Sequence, residues 1–166
     1  MAELQSLLTH VPHPRSLVLP AATFPDDVHA KLSRHFPRIV HFSGHGHIGG
    51  YLCFEQKDVG LHLIHVKDLG DMVKACCRPG QLECVFLNAC YTKAMGRQLM
   101  DALSPTFPGL RVVCWESMCE EGASRKFTEG FFKAIGANCR PATPISKAYA
   151  TGLKAFRTGG YEVGDP

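Results

Sequence analysis

At 166 residues, 45% of them apolar and 20% charged, the chain is long enough to bury roughly 70% of its unfolded surface in a single domain spanning 1–166. Its net charge of +3 comes from 18 basic and 15 acidic residues with no basic block and no interleaving of aromatic with basic residues, which argues against a nucleic-acid surface. No segment approaches the roughly 20 apolar residues of a membrane span, and residues 1–8 lack the basic-then-apolar pattern of an export signal, so no membrane partner and a cytoplasmic location are expected.

Ser16 to Leu19 reads as a first strand. Thr23-Phe24-Pro25 then opens a helix with a capping hydroxyl and an early proline, its apolar positions at Val28, Leu32 and Phe36 and its end at Pro37. Arg38 to Ser43 forms a second strand running into the glycine-rich turn Gly44-His45-Gly46-His47-Ile48-Gly49-Gly50, which places His45 on a loop. Tyr51 to Glu55 and Leu61 to Ile64 suit a small hairpin, followed by a helix from Val66 to Cys76. Pro79-Gly80 breaks that helix. Cys84 to Leu87 is continuously apolar, as a strand covered on both faces must be, and Met95, Leu99 and Leu103 mark the next helix. A last strand, Arg111 to Trp115, precedes one helix bearing Ala123, Phe127, Phe131 and Ile135, and another from Pro144 bearing Ile145, Ala148, Tyr149, Leu153 and Phe156. Alternation of strands with helices predicts an α/β fold whose sheet is mostly parallel, with helices on both faces.

Eight cysteines stand at 53, 76, 77, 84, 90, 114, 119 and 139, several of them inside apolar strand patterns and none in a Cys-x-x-Cys pair. Most are expected to be reduced, buried and inert. Cys90 is different in its placement. It comes after the strand Val85-Phe86-Leu87-Asn88-Ala89 and directly precedes a predicted helix, while His45 comes after the strand Ile39 to Ser43. In an α/β domain reactive groups collect at the carboxyl ends of parallel strands, so a base and a thiol at two such ends can meet across a long separation in sequence. The helix amides favour a thiolate at Cys90, and His45 can take its proton and later deliver one to a leaving amine. Gly44, Gly46 and Ala89 allow close approach of a substrate backbone, and the amides of Gly46 and Cys90 are the natural oxyanion donors.

Two other chemistries compete for the same glycine-rich turn. His41, His45 and His47, with His35 or His62, have spacings that a metal site can use, though no acidic or cysteine ligand is spaced near them. A nucleotide-binding loop is disfavoured because no Gly-Lys-Ser/Thr ending occurs. The other histidines are expected on the surface or in the core.

The blocks His41-Phe42-Ser43-Gly44-His45-Gly46 and Val85-Phe86-Leu87-Asn88-Ala89-Cys90-Tyr91-Thr92 resemble the two signature blocks of CHAT proteins, caspase-like peptidases related to separase and often joined to tetratricopeptide repeats. The resemblance extends to Leu19-Pro20-Ala21-Ala22-Thr23 at the first strand, to Val112-Val113-Cys114-Trp115 at a later strand ending in tryptophan, and to residues 130–136 and 144–148 in the closing helices. It therefore spans nearly the whole chain. The resemblance implies a caspase-like α/β/α sandwich, a cysteine endopeptidase with Cys90 as nucleophile and His45 as general base, and no cofactor or metal.

Ala89 and Trp115 are candidates for the substrate pocket. After Trp115 the family commonly places an acidic pair that lines this pocket, where the present chain has Cys119-Glu120-Glu121. Either Glu120 or Glu121 enters the pocket and favours Arg or Lys, or both merely open the next helix, where acids suit the dipole. The expected partner is a protein or peptide substrate, with gating by a helical-repeat regulator, another domain or self-association. The rival reading is a catalytically silent binding or scaffolding module of the same fold in a signalling or defence assembly.

Overall fold

The strand that expectation makes wholly apolar is wholly buried. In the computed structural model, which describes residues 24–56, 60–137 and 142–162, Cys84 to Leu87 are all 0% exposed and Asn88 is 5% exposed. The first strand at 16–19, the Thr23 cap and Cys139 lie outside the described residues. The described residues fall into two compact units, one ending at Cys119 and the other beginning at Glu120.

The first unit opens with α1 (Asp26–His35), which starts with two acids and ends with Arg34 and His35, charges that match the helix dipole at both ends. It stops before Pro37 because Phe36 already leaves the helix in a left-handed conformation at φ 44°. Then come β1 (Ile39–Ser43), β2 (His45–His47), β3 (Tyr51–Gln56) and β4 (Gly60–His65). These lead to α2 (Val66–Cys76), β5 (Cys84–Asn88), α3 (Lys93–Leu103) and β6 (Arg111–Cys114). Among the described residues the fold is mixed α/β, with three strands in one parallel sheet of order β1-β5-β6 and three in an antiparallel sheet of order β2-β3-β4. His45 is thus corrected from a loop to the first residue of β2, because the segment after Gly44 finds ladder partners on β3. The expected hairpin of two strands becomes three for the same reason.

In the parallel sheet β1 and β5 run in register from Ile39 beside Cys84 to Ser43 beside Asn88, and β6 pairs with the other edge of β5 from Arg111 beside Cys84 to Cys114 beside Leu87. The amino ends are tied as well. Glu83 N–H donates to the Arg38 carbonyl at 2.8 Å, Arg111 N–H donates to the Glu83 carbonyl at 2.9 Å, and the Arg38 and Glu83 side chains pair at 2.8 Å. The core of this unit joins Val85 and Leu87 of β5 to Leu69 and Val73 of α2, Met95 and Leu99 of α3, and Leu52 and Ile64 of the antiparallel sheet. α3 lies directly on β6, where the Gly96 backbone stands against the Cys114 side chain.

The second unit is a helix pair, α4 (Glu121–Ala137) and α5 (Ile145–Thr158). They cross closely at Gly130, where an added Cβ would meet the Ala155 side chain at 2.7 Å and the Thr151 carbonyl at 2.8 Å. Ala123, Phe127 and Phe131 are buried as the periodicity predicts, and Ile145, Ala148 and Phe156 are buried on the partner helix. Tyr149, expected inside, is 45% exposed and packs its ring against that of Phe127 in a T-shaped pair with centroids 5.5 Å apart. No helix of the described residues is long and apolar enough to cross a membrane.

Three of the seven described cysteines, Cys76, Cys77 and Cys84, are buried; Cys53, Cys90, Cys114 and Cys119 are half-buried, and no disulfide joins any of the seven. Burial pushes the Cys77 thiol up to about 11 and the Cys84 thiol up to about 12, and it raises Cys114 too. These thiols carry little thiolate at neutral pH and suit packing rather than reaction.

His41 lies in β1 with its ring stacked on Phe86 at 4.6 Å, and desolvation holds its pKa down to about 3 from an ordinary 6.5. Between those values the unfolded chain binds the proton that the folded chain refuses, so stability falls as the pH drops from about 6.5 toward 3. The slope from this one group is at most about 1.4 kcal/mol per pH unit. Urea unfolding at pH 7 and pH 5 checks it: the two midpoints should lie farther apart in the wild type than in His41→Leu, and equal separations would remove the effect from His41.

Candidate active site

Parallel register carries β1 and β5 to the same end of the sheet, and Gly44 N–H extends the pairing by donating to the Asn88 carbonyl at 3.2 Å. The next residues on the two chains are His45-Gly46 and Ala89-Cys90. Their backbones touch: a Cβ added at Gly46 would run into the Cys90 carbonyl oxygen and lie 3.4 Å from the Ala89 Cβ. Only glycine allows this approach.

Antiparallel pairing then sets the direction of each side chain on β2. Gly46 shares its face with Leu52 and Ile64, both buried, whereas His45 is cross-strand to Cys53 and Leu63 on the outer face and is exposed. His47 shares that outer face with Tyr51 and His65, with ring distances of 6.4 Å and 5.2 Å to the tyrosine on either side. Among the described residues no hydrogen bond joins the His45 imidazole to Cys90.

Cys90 is held by the turn and strand end on its carboxyl side. The chain passes from β5 into α3 through Tyr91, in a left-handed conformation at φ 55°, and Thr92, so the helix begins beyond the cysteine rather than at it. The amide at the sulfur is consequently not a helix amide as expected. It belongs to Cys119, whose N–H donates to Cys90 Sγ at 3.5 Å, while the Cys90 thiol reaches the Cys119 carbonyl at 3.9 Å.

Five polar links pin this turn and the end of β5 to the segment after β6. The fully buried Thr92 hydroxyl shares its proton between the Ala89 carbonyl at 2.9 Å and the Leu87 carbonyl at 3.2 Å, and accepts the Trp115 N–H at 3.0 Å. The Trp115 indole N–H donates to the buried Asn88 Oδ1 at 2.5 Å. Tyr91 N–H donates to the Ser117 carbonyl at 3.1 Å and Lys93 N–H to the Trp115 carbonyl at 2.9 Å, with a Lys93–Glu116 ion pair at the surface.

The remaining candidates are placed less centrally. Ala89 is 4% exposed and therefore walls the turn from inside, and Trp115 is half-buried with its polar edge committed to Asn88. Glu120 and Glu121 are exposed at the start of α4, where the Glu120 carbonyl accepts Ser124 N–H at 2.9 Å, the helix-opening position. A groove of about 520 Å³ lies beside His65, Val66, Lys67, Gln98 and Leu99, with neither His45 nor Cys90 in its wall. The histidines of the metal alternative diverge: His41 lies on Phe86 in the parallel sheet, His45 and His47 on the outer face of the other sheet, and His62 on its inner face opposite Phe54. Among the described residues no group of three His, Cys, Asp or Glu could hold a metal ion.

The reading of the sequence gives Asn88 and Thr92 no role of their own and sets Cys119 at the substrate pocket rather than at the sulfur of Cys90. A threonine just before a helix has the look of an amino-terminal cap, but Thr92 makes no cap bond and turns its hydroxyl back to the strand. Comparison with protein-family models and with curated proteins finds no match to this chain.

Two substitutions test this construction. Gly46→Ala should lower stability by about 1–3 kcal/mol, the range for forcing an extra methyl into a packed place, and should make Cys90 more open to alkylation; an unchanged urea midpoint would mean that the two backbones are not in contact. Thr92→Val leaves two carbonyls and an amide without their shared partner and should cost about 1–3 kcal/mol, while Thr92→Ser keeps most of it. Trp115 is the sole tryptophan, so its fluorescence reads the turn directly.

Proposed function

We propose that this chain is a cytosolic cysteine endopeptidase of the CHAT type, with a caspase-like α/β/α sandwich and a Cys90-His45 dyad. The observation that carries the reading is the contact of the Gly46 backbone with the Cys90 carbonyl, a consequence of the register of β1 and β5. In this scheme His45 takes the Cys90 proton, the thiolate adds to the scissile carbonyl, and the amides of Gly46 and Cys90 bind the oxyanion. His45 then protonates the leaving amine, a thioester remains on Cys90, and water assisted by His45 releases the acid product. No step calls on a cofactor.

The amide of Cys119 at the sulfur supports a reactive Cys90. The exposed His45 ring, not bonded to Cys90, supports a resting site that is completed by a partner, a helical-repeat regulator, another domain or self-association. The same ring orientation favours a second reading, a binding or scaffolding module in which the dyad does no chemistry.

Covalent labelling separates the two. Peptide electrophiles directed by Arg, Leu or Asp are applied to wild type, Cys90→Ala and His45→Ala, and the adduct is located by mass spectrometry. The peptidase reading expects selective labelling of Cys90 that falls sharply in His45→Ala, with the differences among the three probes reporting the preference of its pocket. Equal labelling of several cysteines regardless of His45 would move the assignment to the binding module.

A further inference from the structure

The contacts of Cys90 with Cys119 carry a second chemistry that does not depend on the peptidase reading. Cys90 Sγ stands 3.5 Å from the amide nitrogen and 3.9 Å from the carbonyl oxygen of a residue that itself bears a thiol. The Cβ of Cys119 is two bonds, about 2.5 Å, from that nitrogen and so within about 6 Å of Cys90 Sγ, a separation that rotation of both cysteine side chains narrows toward disulfide geometry. Both residues are half-buried, which admits a small oxidant, and both belong to the same compact unit. The approach is fixed by the bonds of Tyr91 and Lys93 to residues 115–117, so the pair is not a chance meeting of two mobile side chains.

We propose that Cys90 and Cys119 form a peroxide-sensitive thiol pair, in which Cys119 is the resolving cysteine of Cys90. The Cys90 thiolate attacks a peroxide ROOH, its O–O bond breaks, and Cys90 becomes a sulfenic acid as ROH is released. The Cys119 thiolate then attacks that sulfur, the S–S bond forms, the S–O bond breaks, and the hydroxyl leaves as water with the proton of Cys119. Two thiols and one peroxide thus give one disulfide, one alcohol or water molecule from the peroxide, and one further water. The disulfide shields Cys90 from further oxidation and removes its thiolate from any other reaction, and a small thiol reverses it. Cys77, Cys84 and Cys114 are poor rivals for the oxidant because burial raises their thiols.

The test uses the whole folded chain. Wild type, Cys119→Ser and Cys90→Ser are treated with hydrogen peroxide near one equivalent, remaining thiols are alkylated, and the unreduced protein is cut after basic and glutamate residues. Those cuts isolate Cys119 in Ser117–Glu120, apart from Cys114, and leave Cys90 in Cys84–Lys93, where fragmentation distinguishes it from Cys84. The expected result is a Cys90–Cys119 linked peptide in wild type, lost on adding dithiothreitol. In Cys119→Ser the link disappears and Cys90 is recovered instead as the dimedone adduct of its sulfenic acid, or as sulfinic acid. A link from Cys90 to any other cysteine, or equal dimedone labelling of Cys90 in wild type and Cys119→Ser, would overturn the assignment. Because the readout is the bond itself, its failure leaves the electrophile labelling of Cys90 unaffected, and the two readings fail separately.

Discussion

Everything at the candidate site depends on the parallel pairing of β1 with β5. Their register, Ser43 beside Asn88, decides which residues emerge together at the end of the sheet. A slip of one residue would bring a residue with a Cβ to the place where the Gly46 backbone meets the Cys90 carbonyl. The register in turn rests on burial. β5 is the central strand and its residues from Cys84 to Leu87 are closed to solvent, so any shift would have to repack the core formed with α2 and α3.

The other half of the site comes from β6, and it is attached by polar bonds rather than by packing. Thr92 and Asn88 are two of the few buried polar residues among those described, and both are used to tie the Cys90 turn to Trp115. Buried polar groups that are fully bonded are costly to rearrange, so this attachment fixes the cysteine side of the site firmly. The histidine side is attached differently. β2 is a three-residue edge strand, and its outward face leaves the His45 ring in solvent. The cysteine side is tied by buried hydrogen bonds, and the histidine side carries an exposed ring.

How much of this is legible in the sequence depends on the kind of force involved. Burial is periodic and local, so the pattern of α2 predicts both its ends and the unbroken apolar run of β5 marks it as a strand. The placement of His45 on a loop fails because pairing is not local: Gly44-His45-Gly46 looks like a turn until β3 offers a ladder, and glycine content hides a strand that tertiary hydrogen bonds impose. Tyr149 misleads because an amphipathic ring can follow the apolar periodicity, pairing with Phe127, while nearly half of it stays exposed. Cys119 reads from its neighbours as part of a substrate pocket, since nothing beside it announces that its backbone lies on the sulfur of Cys90. Glu120 and Glu121 admit two readings, and both side chains are exposed where a helix begins.

The separation of the paired strands also bears on the order in which the molecule forms. Arg38 and Glu83, at the foot of the β1–β5 pair, are 45 residues apart, and the whole β2-β3-β4 sheet and α2 lie between them. Closing such a loop costs chain entropy that is recovered only when the strands dock, so long-range parallel pairing tends to come after local helices and hairpins. A chain in which β1 and β5 have not paired carries both residues without the contact of their segments, so the candidate site exists only in molecules that have completed this sheet.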